Sequence, residues 1–328
     1  MVLDCGALHV IDFRYYLVSI VSIFLALAVG IVLGAGPLQQ DIGARLTEQI
    51  KTLRAEKTQL RTDLDTARRN AAARDTFSSA VAPAVLKGRL TGKTVALVVA
   101  PGVDADLVKN ATASLIAAGA KVGSTVTLND VWADPSKITL RNTVASPFAT
   151  LVKAPNAAGS PDQLAAGVLA HTILAGTDHS TERITASASA ALNGLAAGDL
   201  ISVTPDQIVP SSSVVFLGGP VKGSTQQDTD ARLAAYVQLV RALDAGGSGA
   251  VVAAKSNTTD GTKSADLVAA VRKNPDAPKA ISTVDDADLP MGQGTLVLAL
   301  AQQYAGGAGQ YGLAGDAKAI VPDLTVKQ

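Results

Sequence analysis

The sequence contains little of the chemistry that stabilises small secreted domains or binds soft metals. Among its 328 residues there are one cysteine, two methionines and three histidines. A single cysteine cannot form a disulfide framework, and a chain of this length can bury a core without one. Lysine plus arginine and aspartate plus glutamate both number 28, without a basic stripe. A nucleic-acid partner is therefore not expected.

Catalytic motifs are also missing. The sequence contains no GxSxG, HExxH or CxxC, which are common signatures of serine hydrolases, zinc proteases and dithiol oxidoreductases. Ser248 lies in the turn sequence AGGSGA, without the strand–elbow–helix context that a nucleophile requires. We therefore expect no enzymatic activity. An α/β enzyme, or a head that binds a small ligand, stays open as a third interpretation.

What is present begins with a long uncharged run. No charged residue occurs between Arg14 and Asp41, and about 20 apolar residues suffice to cross the hydrocarbon layer of a membrane. The sequence predicts a short tail over 1–14 and a transmembrane helix over 15–36. The residues expected at the membrane interface are Phe13, Arg14, Tyr15 and Tyr16. A cleaved signal sequence and a buried core helix are the alternatives, and the flanking charges do not decide the orientation.

A second helix is predicted over 37–82, because residues 44–82 contain neither glycine nor proline. Its apolar positions alternate at spacings of four and three, which is typical of a coiled coil. The predicted seam consists of Leu46, Ile50, Leu53, Lys57, Leu60, Leu64, Ala67 and Ala71. Membrane anchors at one end would make two copies run the same way, so we expect a parallel homodimer. The alternative is a single solvated helix that packs one edge on its own domain.

The remaining residues, 83–328, alternate between short apolar runs and helical patterns. The predicted strands include TVALVVA, KVGSTVTL, SSVVFLGG and GAVVAA. A helix follows the first strand, and we expect Leu107, Ala111, Leu115 and Ile116 on its buried face. The segments PDQLAAGVLAHTIL and RITASASAALNGLAAG predict a helical insertion. The fold class is therefore α/β, a Rossmann-like, mostly parallel sheet with helices on both faces.

Two loops and one acidic cluster are the candidate sites of this domain. APGVDAD and LGGPVKGS follow strands at the edge where such sheets bind ligands, but neither contains GxGxxG or GxxxxGK[ST]. Their glycines indicate tight turns, with a phosphate or sugar site as the alternative. Asp285, Asp286 and Asp288 could bind a hard divalent ion. We favour a solvated loop that caps a helix.

The segment IDFRYYLVSIVSIFLALAVGIVLGAGPL resembles the start of the actinobacterial MctB/SteB-type family, and GGAGQYG near the C-terminus resembles its glycine-rich end. Tyr16 stands where a histidine is usual. Family members begin where Val10 stands, so the resemblance implies initiation at Val10 rather than Met1. It also implies a single-pass inner-membrane protein with a cytoplasmic tail and an extracytoplasmic α/β domain. The implied role is control of cell separation through peptidoglycan hydrolysis, with a SteA-like protein or a hydrolase regulator as partner.

Members of this family are also described as copper transporters, so copper transport or copper homeostasis is the alternative function. Imidazole, thiolate and thioether groups select copper. Met1, Cys5 and His9 lie in the extension before Val10, which leaves His171 and His179 as candidate ligands. We expect no cofactor and no specific copper site. The sequence favours a membrane-anchored, non-enzymatic scaffold that acts on envelope partners through its coiled coil.

Overall fold

The computed structural model describes residues 13–35, 37–152, 154, 160–175, 186–204, 209–256 and 266–323. Residue contacts divide the chain into two compact units, and the division falls between Ala72 and Ala73. The described residues of the first unit form helices. The second contains the whole sheet.

Two long helices open the chain. Helix α1 covers Phe13–Ala35, and helix α2 covers Pro37–Leu86. Proline is well placed at the start of α2, because the first turn of a helix needs no N–H donor for its own hydrogen bonds. In α1 the hydroxyl of Ser22 donates to the carbonyl of Val18 at 2.8 Å, so this polar group is satisfied inside the helix. Helix α2 continues through Pro83 to Leu86, beyond the proline-free run.

The second unit contains a seven-stranded sheet in the order β3-β2-β1-β4-β5-β6-β7. The strands are β1 Thr94–Val99, β2 Lys121–Leu128, β3 Ile201–Thr204, β4 Ser213–Gly218, β5 Ala250–Ala254, β6 Ser282–Val284 and β7 Gln310–Tyr311. All neighbouring pairs are parallel except β2 with β3. The strand order reverses between β1 and β4, which is the topological switch point of a doubly wound sheet.

Helices cover both faces of the sheet. They are α3 Ala105–Ala117, α4 Ile138–Ala149, α5 Pro161–Ile173, α6 Ala186–Ala197, α7 Gln226–Ala245, α8 Leu267–Lys273, α9 Ala277–Ala280 and α10 Pro290–Tyr304. Two short 3₁₀ turns, Asp130–Trp132 and Pro135–Lys137, precede α4. Alternate residues of each central strand point into two separate cores. One core lies under α3, α10 and the end of α2, and the other lies under α4 to α8.

This architecture confirms the predicted α/β fold. The predicted strand KVGSTVTL coincides with β2, and PDQLAAGVLAHTIL contains α5. Helix α5 begins with a capping box, in which Ser160 and Gln163 satisfy each other's backbone N–H groups. The placement of Ile116 was wrong: it is 58% exposed, whereas Leu107, Ala111 and Leu115 are buried. Position 116 lies one residue beyond the i, i+4, i+8 stripe that faces the sheet.

A buried arginine fastens the helical layer that contains α4. Arg141 is 2% exposed, and its Nη2 and Nε lie 2.6 and 3.0 Å from Oδ1 of Asp162 on α5. Its Nη1 donates to the carbonyl of Asp134 at 2.6 Å. A buried guanidinium needs such partners because an unpaired buried charge costs several kcal/mol. Arg141 therefore ties α4 to α5 and to the preceding 3₁₀ turn.

Candidate functional site

The loops that follow β1 and β4 approach each other closely at the switch point. Gly219 follows β4, and a side chain there would overlap the carbonyl oxygen of Pro101, which follows β1. Gly102 has φ +74°, and a Cβ at this residue would lie 3.5 Å from Pro220. The two candidate loops thus pack directly on each other. Their glycines permit this close approach, as the interpretation as tight turns predicted.

Carboxylates lie at the starts of both helices that leave these loops, although the N-cap of α7 is Thr225. Asp104 caps α3 and accepts from the N–H of Asp106 at 3.0 Å. Asp228, in the first turn of α7, accepts from the backbone N–H of Ser224 at 2.7 Å and pairs with Arg232 at 2.9 Å. The backbone hydrogen bond from Ser224 is the main reason that the pKa of Asp228 is lowered. Negative charge at both helix starts disfavours an anionic ligand such as phosphate.

The acidic cluster after β6 is buried, so the expected solvated loop was wrong. Asp285 is 4% exposed and accepts from the N–H groups of Leu313 and Ala314 at 2.7 and 3.1 Å. Arg272, itself 5% exposed, lies 2.8 Å from the other oxygen of Asp285. A side chain at Gly312, where φ is +131°, would overlap the Asp285 carboxylate. The glycine-rich end of the chain is therefore needed for packing around this ion pair.

Asp286 is the most unusual group in the cluster. It has no exposed surface, and neither carboxylate oxygen has a hydrogen-bond partner. Burial, with the negative charges of Asp285 and Asp288 adding to it, raises the pKa of Asp286 to about 6, and Arg272 opposes this shift. Asp288 instead accepts from the N–H of Ser256 at 2.7 Å. The three carboxylates thus do not share a ligand.

Metal ligands do not converge in the part of the chain that the structure describes. No group of three or more histidine, cysteine, aspartate or glutamate side chains there could hold a metal ion. His171 lies in the last turn of α5, beside a groove of about 200 Å³ that also contains Gln238 and Arg241. Burial lowers the pKa of His171. His179 and the N-terminal Met1, Cys5 and His9 lie outside the described residues.

Helix α1 has the length and composition of a membrane span. Its apolar part, Phe13–Gly34, covers 22 residues, and none of it is buried against the rest of the protein. Phe13, Tyr15 and Tyr16 are 76%, 78% and 57% exposed at its N-terminal end, and Arg14 is also exposed. This arrangement provides one aromatic rim beside an apolar helix that could cross a bilayer.

A series of large apolar side chains is exposed on α2. Leu46, Ile50, Leu53, Leu60 and Leu64 are 55%, 41%, 63%, 68% and 50% exposed. Lys57, Ala67 and Ala71, the remaining positions of the predicted seam, are exposed as well. Within the described residues, the chain does not cover this seam. Isolated exposed leucines are ordinary, but a regular stripe of them is typical of an interaction surface.

Two functional features were not predicted from the sequence. Arg141 pairs with a carboxylate 21 residues away, and Arg272 contacts groups up to 44 residues away. No local spacing connects such partners. The sequence around each arginine carries no signal that would identify these partners.

The chain is similar in sequence to proteins whose names refer to copper transport. A family described as "Copper transport outer membrane protein, MctB" matches residues 10–322. "Copper transporter MctB" of Mycobacterium tuberculosis (strain ATCC 25618 / H37Rv) is 26% identical over 315 residues, covering 94% of this chain and 98% of that protein. "Copper transporter MctB" of Mycobacterium leprae (strain TN) is 25% identical over 318 residues, with the same coverage.

Proposed function

Because this chain belongs to the MctB family, we propose that it is a membrane-anchored protein of the actinobacterial envelope that works as a non-enzymatic scaffold. Helix α1 would hold it in the inner membrane, and the exposed seam of α2 would bind a partner membrane or envelope protein. The α/β unit would lie on the extracytoplasmic side. In this proposal the protein acts by bringing other proteins together.

The observation that carries the proposal is the exposure of the five large apolar side chains on α2. Each is between 41% and 68% exposed, and full burial of such a side chain is worth about 1.5–3 kcal/mol. A partner helix that covered the seam would gain part of this free energy at every position. An amphipathic helix lying against such a stripe is a common mode of protein recognition.

The α/β unit also supports the scaffold interpretation, through the state of its candidate ligand sites. At its switch point, where a doubly wound sheet normally binds its ligand, the two loops pack against each other at Gly219 and Pro101. The candidate carboxylates pair with the protein's own groups or lie buried. These features favour a structural head over a ligand-binding one.

The proposal also names the cellular process in which the scaffold acts. The resemblance of the N-terminal segment to the MctB/SteB type favours control of cell separation, through a SteA-like partner or a regulator of peptidoglycan hydrolases. If this is right, cells without the protein should separate late, and a chain lacking the α2 seam should fail to restore separation. Restoration by the seam-deficient chain would contradict it.

Copper transport or copper homeostasis is the second candidate, because the relatives are called copper transporters. It predicts that the full chain binds Cu(I) stoichiometrically in competition with a strong chelator. It also predicts that His171→Ala together with His179→Ala reduces this binding. The scaffold proposal predicts no stoichiometric binding, since the described residues contain no group of three His, Cys, Asp or Glu side chains suited to a metal ion.

The scaffold is tested by crosslinking and mass spectrometry on native membranes. The test compares the unaltered chain with the variant Leu53→Asp/Leu60→Asp. The matched control is Thr52→Asp/Gln59→Asp, which adds the same charges at the same spacing but off the seam. The proposal expects partner proteins to be recovered with the control and lost with the seam variant. Equal recovery with both variants would overturn it.

A further inference from the structure

The charged residues beside the seam of α2 form a regular pattern. If heptad positions are lettered a to g, Ile50, Lys57 and Leu64 occupy a, and Leu46, Leu53 and Leu60 occupy d. Isoleucine at a with leucine at d favours two parallel strands, and a single lysine at a favours a defined register. Position e is arginine three times in succession. These arginines are Arg54, Arg61 and Arg68.

The opposite flank carries acidic residues. Glu56 and Asp63 occupy g, and each lies five residues before an arginine at e, namely Arg61 and Arg68. Two residues five apart on one helix are separated by about 140° around its axis, so they cannot pair within one chain. In a parallel pair of helices, however, g of one chain faces the following e of the other. The spacing therefore matches pairing between two chains.

The contacts within the chain leave these charges available. Over residues 45–86 of α2, Arg54, Arg61, Arg68 and Glu56 have no ion pair within their own chain, whereas Lys51 lies 4.0 Å from Glu48 on another face. Asp63 accepts one hydrogen bond, from Gln59 at 2.9 Å. An antiparallel pair would instead place arginine against arginine and acid against acid.

From this complementarity we infer that α2 binds a second copy of the same chain, in parallel, through Glu56–Arg61 and Asp63–Arg68 pairs between the two copies. The inference rests on the proposed scaffold and commits the seam to a second copy of the chain, so an envelope partner would bind the paired helices. Two copies anchored by α1 would begin at the same depth in the membrane, which favours equal register. Anchoring also raises the local concentration of the second copy.

Apolar side chains are exposed again near the C-terminal end of α2. Val81 and Val85 are each 37% exposed, and Phe77 is 69% exposed. On the same alternation of four and three, Arg74 and Ser78 stand between Ala71 and Val81. Leu86 is 3% exposed and belongs to the core of the α/β unit, so this end of α2 packs on its own domain with one side and presents Val81 and Val85 on another.

Cysteine crosslinking of the full chain in membranes tests the pairing. In a Cys5→Ser background, Leu60→Cys and Val81→Cys should form disulfide-linked dimers under mild oxidation. The controls Ala55→Cys and Ala80→Cys, which lie off the stripe, should yield at least ~10-fold less. Equal yields at stripe and control positions would overturn the inference.

Exchange of the charged residues tests whether the Glu56–Arg61 and Asp63–Arg68 pairs hold the two copies together. One variant carries Glu56→Arg/Asp63→Arg and the other carries Arg61→Glu/Arg68→Glu, both with Leu60→Cys. Each alone places like charges across the seam, and its crosslinking should fall about tenfold at low salt. Mixing the two variants should restore it, because every pair is then of opposite charge. The control Glu48→Arg/Asp65→Arg should crosslink normally.

The possible outcomes separate the inference from the proposed scaffold. Unchanged crosslinking by either single variant, or no recovery on mixing, would refute the charge pairing. Recovery on mixing also shows that the variants are folded. If the charge pattern holds but no other envelope protein is recovered, the inference survives and the scaffold proposal fails.

Discussion

The buried carboxylate of Asp286 makes a specific prediction about the stability of the α/β unit. The perturbation is Asp286→Asn in the compact unit that begins at Ala73. The wild-type carboxylate is fully buried and has no hydrogen-bond partner. Asparagine keeps its shape and removes the charge. The wild type and the variant therefore differ in whether the side chain at position 286 can titrate.

The magnitude follows from the pKa. Burial raises the pKa of Asp286 from its ordinary 3.8 to about 6, a difference of roughly 2 units or about 3 kcal/mol. Because the pKa is higher in the folded state, folding takes up a proton when the pH lies between 3.8 and about 6. The stability contributed by this group is full below pH ~3.8 and is lost as the pH rises through about 6. At pH 7 the charged carboxylate costs the folded state about 3 kcal/mol relative to pH 3.8.

The assay is urea unfolding of both proteins from pH 4 to pH 7.5. The wild type should lose about 2–3 kcal/mol more stability than Asp286→Asn as the pH rises over this range. The amide leaves its own unsatisfied donors, but that cost is independent of pH and cancels in the comparison. Asp244, whose pKa burial also raises to about 6, is present in both proteins and cancels too. Parallel pH profiles would refute the assignment of a buried, titrating Asp286.

Further predictions concern packing and anchoring. Gly219→Ala should destabilise the α/β unit by more than ~1 kcal/mol, because the added Cβ would overlap Pro101. The control Gly315→Ala has open space around the added Cβ, so its stability in the same urea titration should be nearly unchanged. Arg141→Met should destabilise the α/β unit by about 1–3 kcal/mol, because Asp162, whose side chain is 25% exposed, loses its partner. Arg141→Met/Asp162→Leu should recover part of this stability; a larger loss in the double variant would contradict this. The full chain should resist extraction by alkaline carbonate, while residues 73–328 should be soluble, and release of the full chain would contradict anchoring by α1.

The sequence predicted the central strands well because their apolar runs are short, buried and bounded by glycine or proline. It did not predict β3, β6 and β7, which have four, three and two residues. Strands this short leave no period to detect, and two of them lie at the edges of the sheet. Their positions are set by tertiary contacts such as the antiparallel pairing of β3 with β2.

The candidate sites were predicted less well, and the acidic cluster shows why. Three aspartates in four positions usually indicate a solvated loop, but Arg272 and the N–H groups of Leu313 and Ala314 hold Asp285 inside the protein. These partners are distant in sequence, so composition alone could not identify them. The seam of α2, by contrast, depends only on local periodicity, which can be read from the sequence; its leucines are exposed in the single chain, and the pairing itself stays a prediction.

The most direct test of α2 as the binding surface is photocrosslinking from single positions in native membranes. A photoreactive amino acid at Leu53, on the seam, should link the chain to another polypeptide. The same amino acid at Ala55, on the far side of the helix, should produce few such products. Equal crosslinking from both positions, or none from Leu53, would show that another surface holds the protein's partners.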